Sequence, residues 1–169
     1  MTPRVRRFAL TAHVTSSVGW LGAVAAFVAL ATVGLTSQDA QTVRGAYLVM
    51  EPTAWFVLLP LAFASLLTGL IQALGTAWGV FRHYWVVFKL VINVVATSVL
   101  LIYMETFRLL GDVAADQSSD LGTVRNASPL LHAVGALVLL LAATAFAIYK
   151  PRGVTPYGRK QLKQFAKPS

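Results

Sequence analysis

The apolar positions of the chain gather into four long runs, about Phe8 to Leu35, Thr53 to Val80, Tyr84 to Leu110 and Pro129 to Tyr149. A helix needs roughly 20 residues to cross a bilayer core of about 30 Å, and each run is long enough. Backbone amides in hydrocarbon must pair within their own segment, so the runs predict helices rather than open strands. β-Branched clusters such as Val86-Val87 and Val94-Val95 do not outweigh that requirement. Pro52 and Pro129 fall at or near predicted helix starts, where a missing N–H costs little, whereas Pro60 lies inside the second run and should bend it. The predicted fold class is therefore all-α. It is a four-helix transmembrane bundle over residues 1–149, followed by a basic tail from 150 to 169 in which Pro151, Gly153, Pro156 and Gly158 break the helix.

Composition narrows this further. Of 169 residues, 57% are hydrophobic and 12% charged, about half the charged share of a soluble domain. A water-soluble chain of this size has no place to hide so much apolar surface, and disordered chains have the opposite composition. The absence of cysteine excludes disulfides, thiolate metal sites and a cysteine nucleophile. No Ser-His-Asp set, paired-carboxylate site or metalloprotease motif supports hydrolysis.

The net charge of +8 changes meaning once it is placed along the chain. Asp39, Glu51, Glu105, Asp112, Asp116 and Asp120 all fall on one side of a four-span arrangement. Arg4, Arg6, Arg7, Arg82, Lys150, Arg152, Arg159, Lys160, Lys163 and Lys167 fall on the other; Arg44, Arg108 and Arg125 share the acidic side, and Lys89 lies within the third span. Basic loops stay in the cytoplasm during insertion, so both termini are expected there, with the Ser37-to-Glu51 and Gly111-to-Ser128 loops outside the inner membrane of a bacterium. The basic tail is a candidate for contact with anionic lipid. Nucleic acid is not an expected partner, because most of the chain belongs in lipid and no aromatic-basic groove is apparent. The first run follows Arg4, Arg6 and Arg7, yet it is nearly twice the length of a signal-peptide core and reads as a retained helix.

Ionisable groups within spans are costly and mark functional candidates. Counting 1.5 Å per residue from the span ends puts His13, Gln72 and Lys89 in one layer near the cytoplasmic leaflet. Polar residues recur around them at helical spacing. His13, Ser16, Ser17 and Trp20 share one face of the first run; Ser65, Thr68, Gln72 and Thr76 share one of the second; Lys89 and Asn93 share one of the third. Imidazole is a natural axial ligand of haem iron, so His13 is the candidate cofactor and metal ligand, with Lys89 or Arg82 available to haem propionates. The bland readings are that His13 is a hydrogen-bonded structural residue, that Lys89 snorkels to the headgroups, and that the hydroxyls bond across helices. Gly19, Gly22, Gly69, Gly75 and Gly79 read as close-packing contacts. Gly69, beside the polar stripe, should meet a neighbouring helix backbone. A second polar layer at the outer side pairs Glu105 with His132, and Glu51 and Arg108 are near enough in depth to join it.

His13 followed by Trp20-Leu21-Gly22 resembles the first helix of the CopD copper-resistance membrane domain. The stretch from Leu67-Thr68-Gly69-Leu70 through Gly79 to Trp85 and Lys89-Leu90 is similar to a bacterial family of integral membrane proteins grouped near CopD. The helix-one histidine and the Trp85-to-Lys89 spacing more distantly resemble HemJ, a four-helix haem-binding protoporphyrinogen oxidase, although HemJ-like sequences carry histidine where this chain has Val87. The resemblance implies haem b or copper chemistry in the first three helices. Three function classes stay open on the sequence. The leading one is a haem-b-binding redox or haem-related membrane protein; the alternatives are transport of a small solute or metal ion such as copper, and a non-catalytic subunit or scaffold that works with a second copy or another membrane protein.

Overall fold

A computed structural model describes residues 1–76, 78–125 and 127–165. Four long helices make an all-α bundle: α1 (Pro3–Thr36), α2 (Ala40–Gly75), α3 (Tyr84–Ala115) and α4 (Ser128–Tyr149), each long and apolar enough to cross a membrane. A short α5 (Pro156–Phe165) follows. Each long helix packs on its neighbours in sequence and α4 closes on α1, which gives an up-and-down ring.

Large apolar side chains point outward along the whole barrel of helices. Phe56 is 81% exposed and Ile102 78%, whereas Val43, Tyr47 and Met50 are almost completely buried. A soluble protein does not leave so much contiguous apolar surface in water, so hydrocarbon is the solvent for this face. The chain is a multi-pass membrane protein.

The hydrophobic core is centred toward the end of the bundle away from the termini. There Phe107 meets Phe27 and Tyr103 edge to face, with centroids 5.3 and 5.0 Å apart. Gly34 lies beneath the Tyr47 ring, where an added Cβ would stand 2.8 Å from Cζ, so only glycine admits this contact between α1 and α2. The Tyr47 hydroxyl is buried and donates to the Val124 carbonyl, 2.9 Å away.

The second helix begins well before the expected Thr53. Asp39 caps it by accepting from the Thr42 N–H at 2.8 Å, so the expected Ser37-to-Glu51 loop is mostly helix and only residues 37–39 turn the chain. Pro52 is therefore interior to the helix rather than at its start. The bend expected at Pro60 takes the form of a π turn, Ala54–Leu58, in which the Leu59 N–H reaches back to the Ala54 carbonyl. Pro60 has no N–H, and a widened turn makes room for its ring. Below this turn α2 leans chiefly on α1, and above it chiefly on α3.

The loop between α3 and α4 is more ordered than its polar composition suggests. α3 continues to Ala115, and the Arg44 guanidinium donates to the carbonyls of Val113, Ala114, Asp116, Gln117 and Ser119. A basic residue that looked like an exception to charge segregation thus satisfies the carbonyls at the C-terminal end of α3 and past its C-cap Asp116. The Asp116 carboxylate accepts from the hydroxyls of Ser119 and Ser118 and the Ser118 N–H, which hold it down to about 2 from an ordinary 3.8.

Both termini lie at one end. The Met1 side chain abuts Gly75 at the end of α2. Lys150 adopts φ +41° as the left-handed cap of α4 and turns the tail back under the bundle. Thr155 N–H donates to the Arg82 carbonyl at 2.9 Å, Tyr84 N–H donates to that of Gly153, and Arg82 Nε donates to Gln161 at 2.6 Å. Lys167, counted among the basic residues, lies outside the described residues.

A candidate ligand cavity between the terminal halves of the helices

The bundle is loosely filled where the polar stripes lie. A cavity of about 920 Å³ opens there, bordered by α1 at His13, Ser17 and Trp20, by α2 at Ser65, Gly69 and Gln72, by α3 at Lys89 and Asn93, and by α4 around Ala143 and Thr144. Ring packing in sequence order leaves the diagonals apart, and small residues on α4 do not close the gap.

His13 is partly buried against α2. Its Nδ1 lies 3.2 Å from the Ser65 carbonyl oxygen and 3.1 Å from Thr68 Oγ1. A carbonyl only accepts, and the Thr68 hydroxyl spends its proton on the Ala64 carbonyl, so both contacts require Nδ1–H. Nε2 is then the lone-pair nitrogen, and it has no hydrogen-bond partner among the described residues. Gly69 makes this seat possible, because a Cβ there would stand 3.0 Å from His13 Cε1. Its neighbour is thus the imidazole, not the helix backbone expected from the sequence. Ser17, one turn on from His13 on the same face, bonds Ser65 Oγ at 2.8 Å, and Ser16 turns back to the His13 carbonyl.

Gln72 donates to the Ala9 carbonyl at 2.9 Å, one turn before His13, so these two residues do share a layer. Lys89 borders the same cavity and leans back toward the start of α3, its Nζ 5.9 Å from the Trp85 ring centre. The lysine snorkels, but along a cavity wall rather than into lipid. Asn93 donates to the Lys89 carbonyl at 2.9 Å.

Arg82 is not among the lining residues; it belongs to the junction with α5. Two other cations stand where it was expected. Arg6 and Lys150 border the mouth, with Lys150 Nζ 5.5 Å from the Trp78 ring centre. Trp78 and Trp85 meet edge to face at 5.4 Å, so an aromatic pair separates the two ammonium groups. Among the described residues no aspartate or glutamate lines the cavity, and none forms an ion pair with Arg6, Lys89 or Lys150. Lys150 was legible only as tail charge. Its position at the end of the last span, at the same end of the bundle as Trp78, was the available signal.

The expected outer layer does not form. Glu105 pairs with Arg108 on its own helix, both exposed, and Arg108 also reaches Asp112. Met104 and Phe107 turn inward on α3, which carries Glu105 to the outer face and away from α4. His132 turns to the Ser128 carbonyl at 2.8 Å and lies against the Tyr103 ring. Glu51 reaches Gly111 rather than His132.

No family model matches the chain, and no curated protein or solved structure matches it either. Among the described residues no three His, Asp or Glu side chains gather as a metal-holding group.

Proposed function

We propose that this is a b-type haem-binding protein of the bacterial inner membrane, with both termini in the cytoplasm and His13 Nε2 as the iron ligand. The observation that carries the reading is the fixed His13 tautomer. Ligating imidazoles commonly donate their other N–H to a backbone carbonyl, and Ser65 supplies that acceptor. The cavity volume of about 920 Å³ is within the range of cofactor sites. Haem iron needs only one protein ligand, so the lack of a multidentate cluster is no obstacle, whereas a copper path would require further ligands. Val14, Leu21 and Leu90 offer apolar wall to a macrocycle, and Arg6, Lys89 and Lys150 offer cations to its carboxylates. Bound haem would supply one-electron chemistry; the chain would hold it, orient it through His13 and neutralise its acid groups. Arg159 and Lys160 of α5, exposed at the same end, would face anionic headgroups.

The test is the absorption spectrum of protein expressed with haem. The parent should show a Soret band, His13→Ala should lose it, and His83→Ala and His132→Ala should keep most of it. A parent without Soret absorbance would end the haem reading in favour of a non-catalytic subunit.

A further inference from the structure

A second cavity, of about 370 Å³, lies in the opposite half of the bundle between α1, α3 and α4, with Leu58 of α2 also on its wall. Trp20, 2% exposed, borders both cavities and so stands between them. The wall is apolar, formed by residues such as Phe27, Leu100, Phe107 and Leu139. Polar atoms come from Tyr103 and His132, which lie toward the outer surface on facing helices. The Tyr103 hydroxyl is 2.9 Å from Ser128 Oγ, and the two rings lie 4.3 Å apart with a 32° tilt.

His132 is held in one tautomer. Its Nδ1 is 2.8 Å from the Ser128 carbonyl oxygen, which only accepts, and 3.4 Å from Ser128 Oγ; the much shorter carbonyl contact requires that Nδ1 carry the proton. Nε2 on the opposite side of the ring is a lone-pair acceptor, without a hydrogen-bond partner among the described residues. Gly135 also borders the cavity, and a Cβ added there meets nothing within 4 Å. An acyl chain would leave the ring acceptor and the aromatic wall unused, the acceptor then facing water or headgroups at the outer surface, where His132 is exposed. A flat apolar molecule carrying an O–H donor would use both.

We propose that this groove binds a lipid-soluble hydroquinone, with one O–H donating to His132 Nε2, the ring against Tyr103 and Phe107, and the tail along the apolar wall. The inference concerns binding alone and stands apart from the haem reading, since none of these residues holds iron in that reading.

The experiment uses the full chain in discs of zwitterionic lipid, titrated calorimetrically with 2-decylhydroquinone and with its dimethyl ether, each corrected against empty discs. The hydroquinone should saturate one site and bind about fivefold to tenfold more tightly than the ether, the range expected for one hydrogen bond. His132→Phe should erase that preference. Gly135→Leu, which fills open space, should weaken both ligands. Equal binding of the ether, or no saturable binding, would overturn the proposal and mark the groove as a lipid slot or a packing gap. A preference that survives in folded His132→Phe, or unchanged binding in Gly135→Leu, would overturn it too. Should His132→Phe fail to fold, the ether comparison on the parent decides by itself.

Discussion

Gly69→Ala tests the seat of His13 with a single methyl group. The new Cβ would stand 3.0 Å from His13 Cε1, where ordinary contact begins near 3.4 Å, so the ring must withdraw from α2 by about 0.4 Å. Both of its acceptors are on α2. Withdrawal takes the Nδ1 contacts from 3.2 and 3.1 Å to about 3.6 and 3.5 Å, past useful hydrogen-bond length. Interhelical hydrogen bonds in membrane bundles are worth about 0.6 kcal/mol on average, up to about 1.7. Replacing glycine by alanine inside a helix returns about 0.8–1 kcal/mol. The two effects nearly cancel, so the thermal midpoint in detergent should change little while the imidazole loses its fixed tautomer. The assay is ¹⁵N NMR of histidine-labelled protein, with His13→Ala used to assign the resonance. The parent should show Nδ1–H and a bare Nε2; Gly69→Ala should show mixed tautomers. A parent with Nε2–H, or a Gly69→Ala spectrum like the parent's, would refute the argument. Gly69→Leu is a harsher version and should also lower the midpoint, because overpacking typically costs about 1–3 kcal/mol.

The chain has no cysteine, so introduced ones report topology cleanly. An impermeant thiol reagent applied outside cells should label Ser118→Cys and miss Lys160→Cys, and the reverse pattern would reject cytoplasmic termini. Arg44→Lys should destabilise the α3–α4 loop by about 1.5–3 kcal/mol, since an ammonium cannot reach the five carbonyls that the planar guanidinium bridges. Faster amide exchange over residues 113–119 is the readout, and unchanged exchange would remove Arg44 from that role. Asp116 supplies a pH signature. Its native carboxylate is held down to about 2 from 3.8, so its contribution is complete above pH ~4 and disappears as pH falls through ~2. Loop exchange should accelerate across that window in the parent, whereas Asp116→Asn should be loosened already at pH 6 and show no acid step.

Much of this protein was legible in one dimension because a bilayer simplifies the folding problem. Four apolar runs had to become helices, since hydrocarbon offers no other partner for their amides. Even the fourth run, Pro129 to Tyr149, matches the observed Ser128–Tyr149 within a residue. The shared layer of His13, Gln72 and Lys89 also followed from a count along straight rods. What the sequence could not decide was azimuth and exact helix length. A polar loop and the first turns of an amphipathic helix have similar composition, so the start of α2 at Ala40 was hidden until its cap and its contacts with α3 were visible. Glu105 and His132 agreed in depth but not in direction, because each residue turns a helix by about 100° and only packing fixes the zero of that angle. The partners of His13 come from 52 and 55 residues away, and Lys150 reaches Trp78 only because the chain turns back at the end of α4. Local pattern fixes which segments enter the membrane. The pairing of side chains across helices decides which atoms face the cavity, and that information exists only once all four helices have packed.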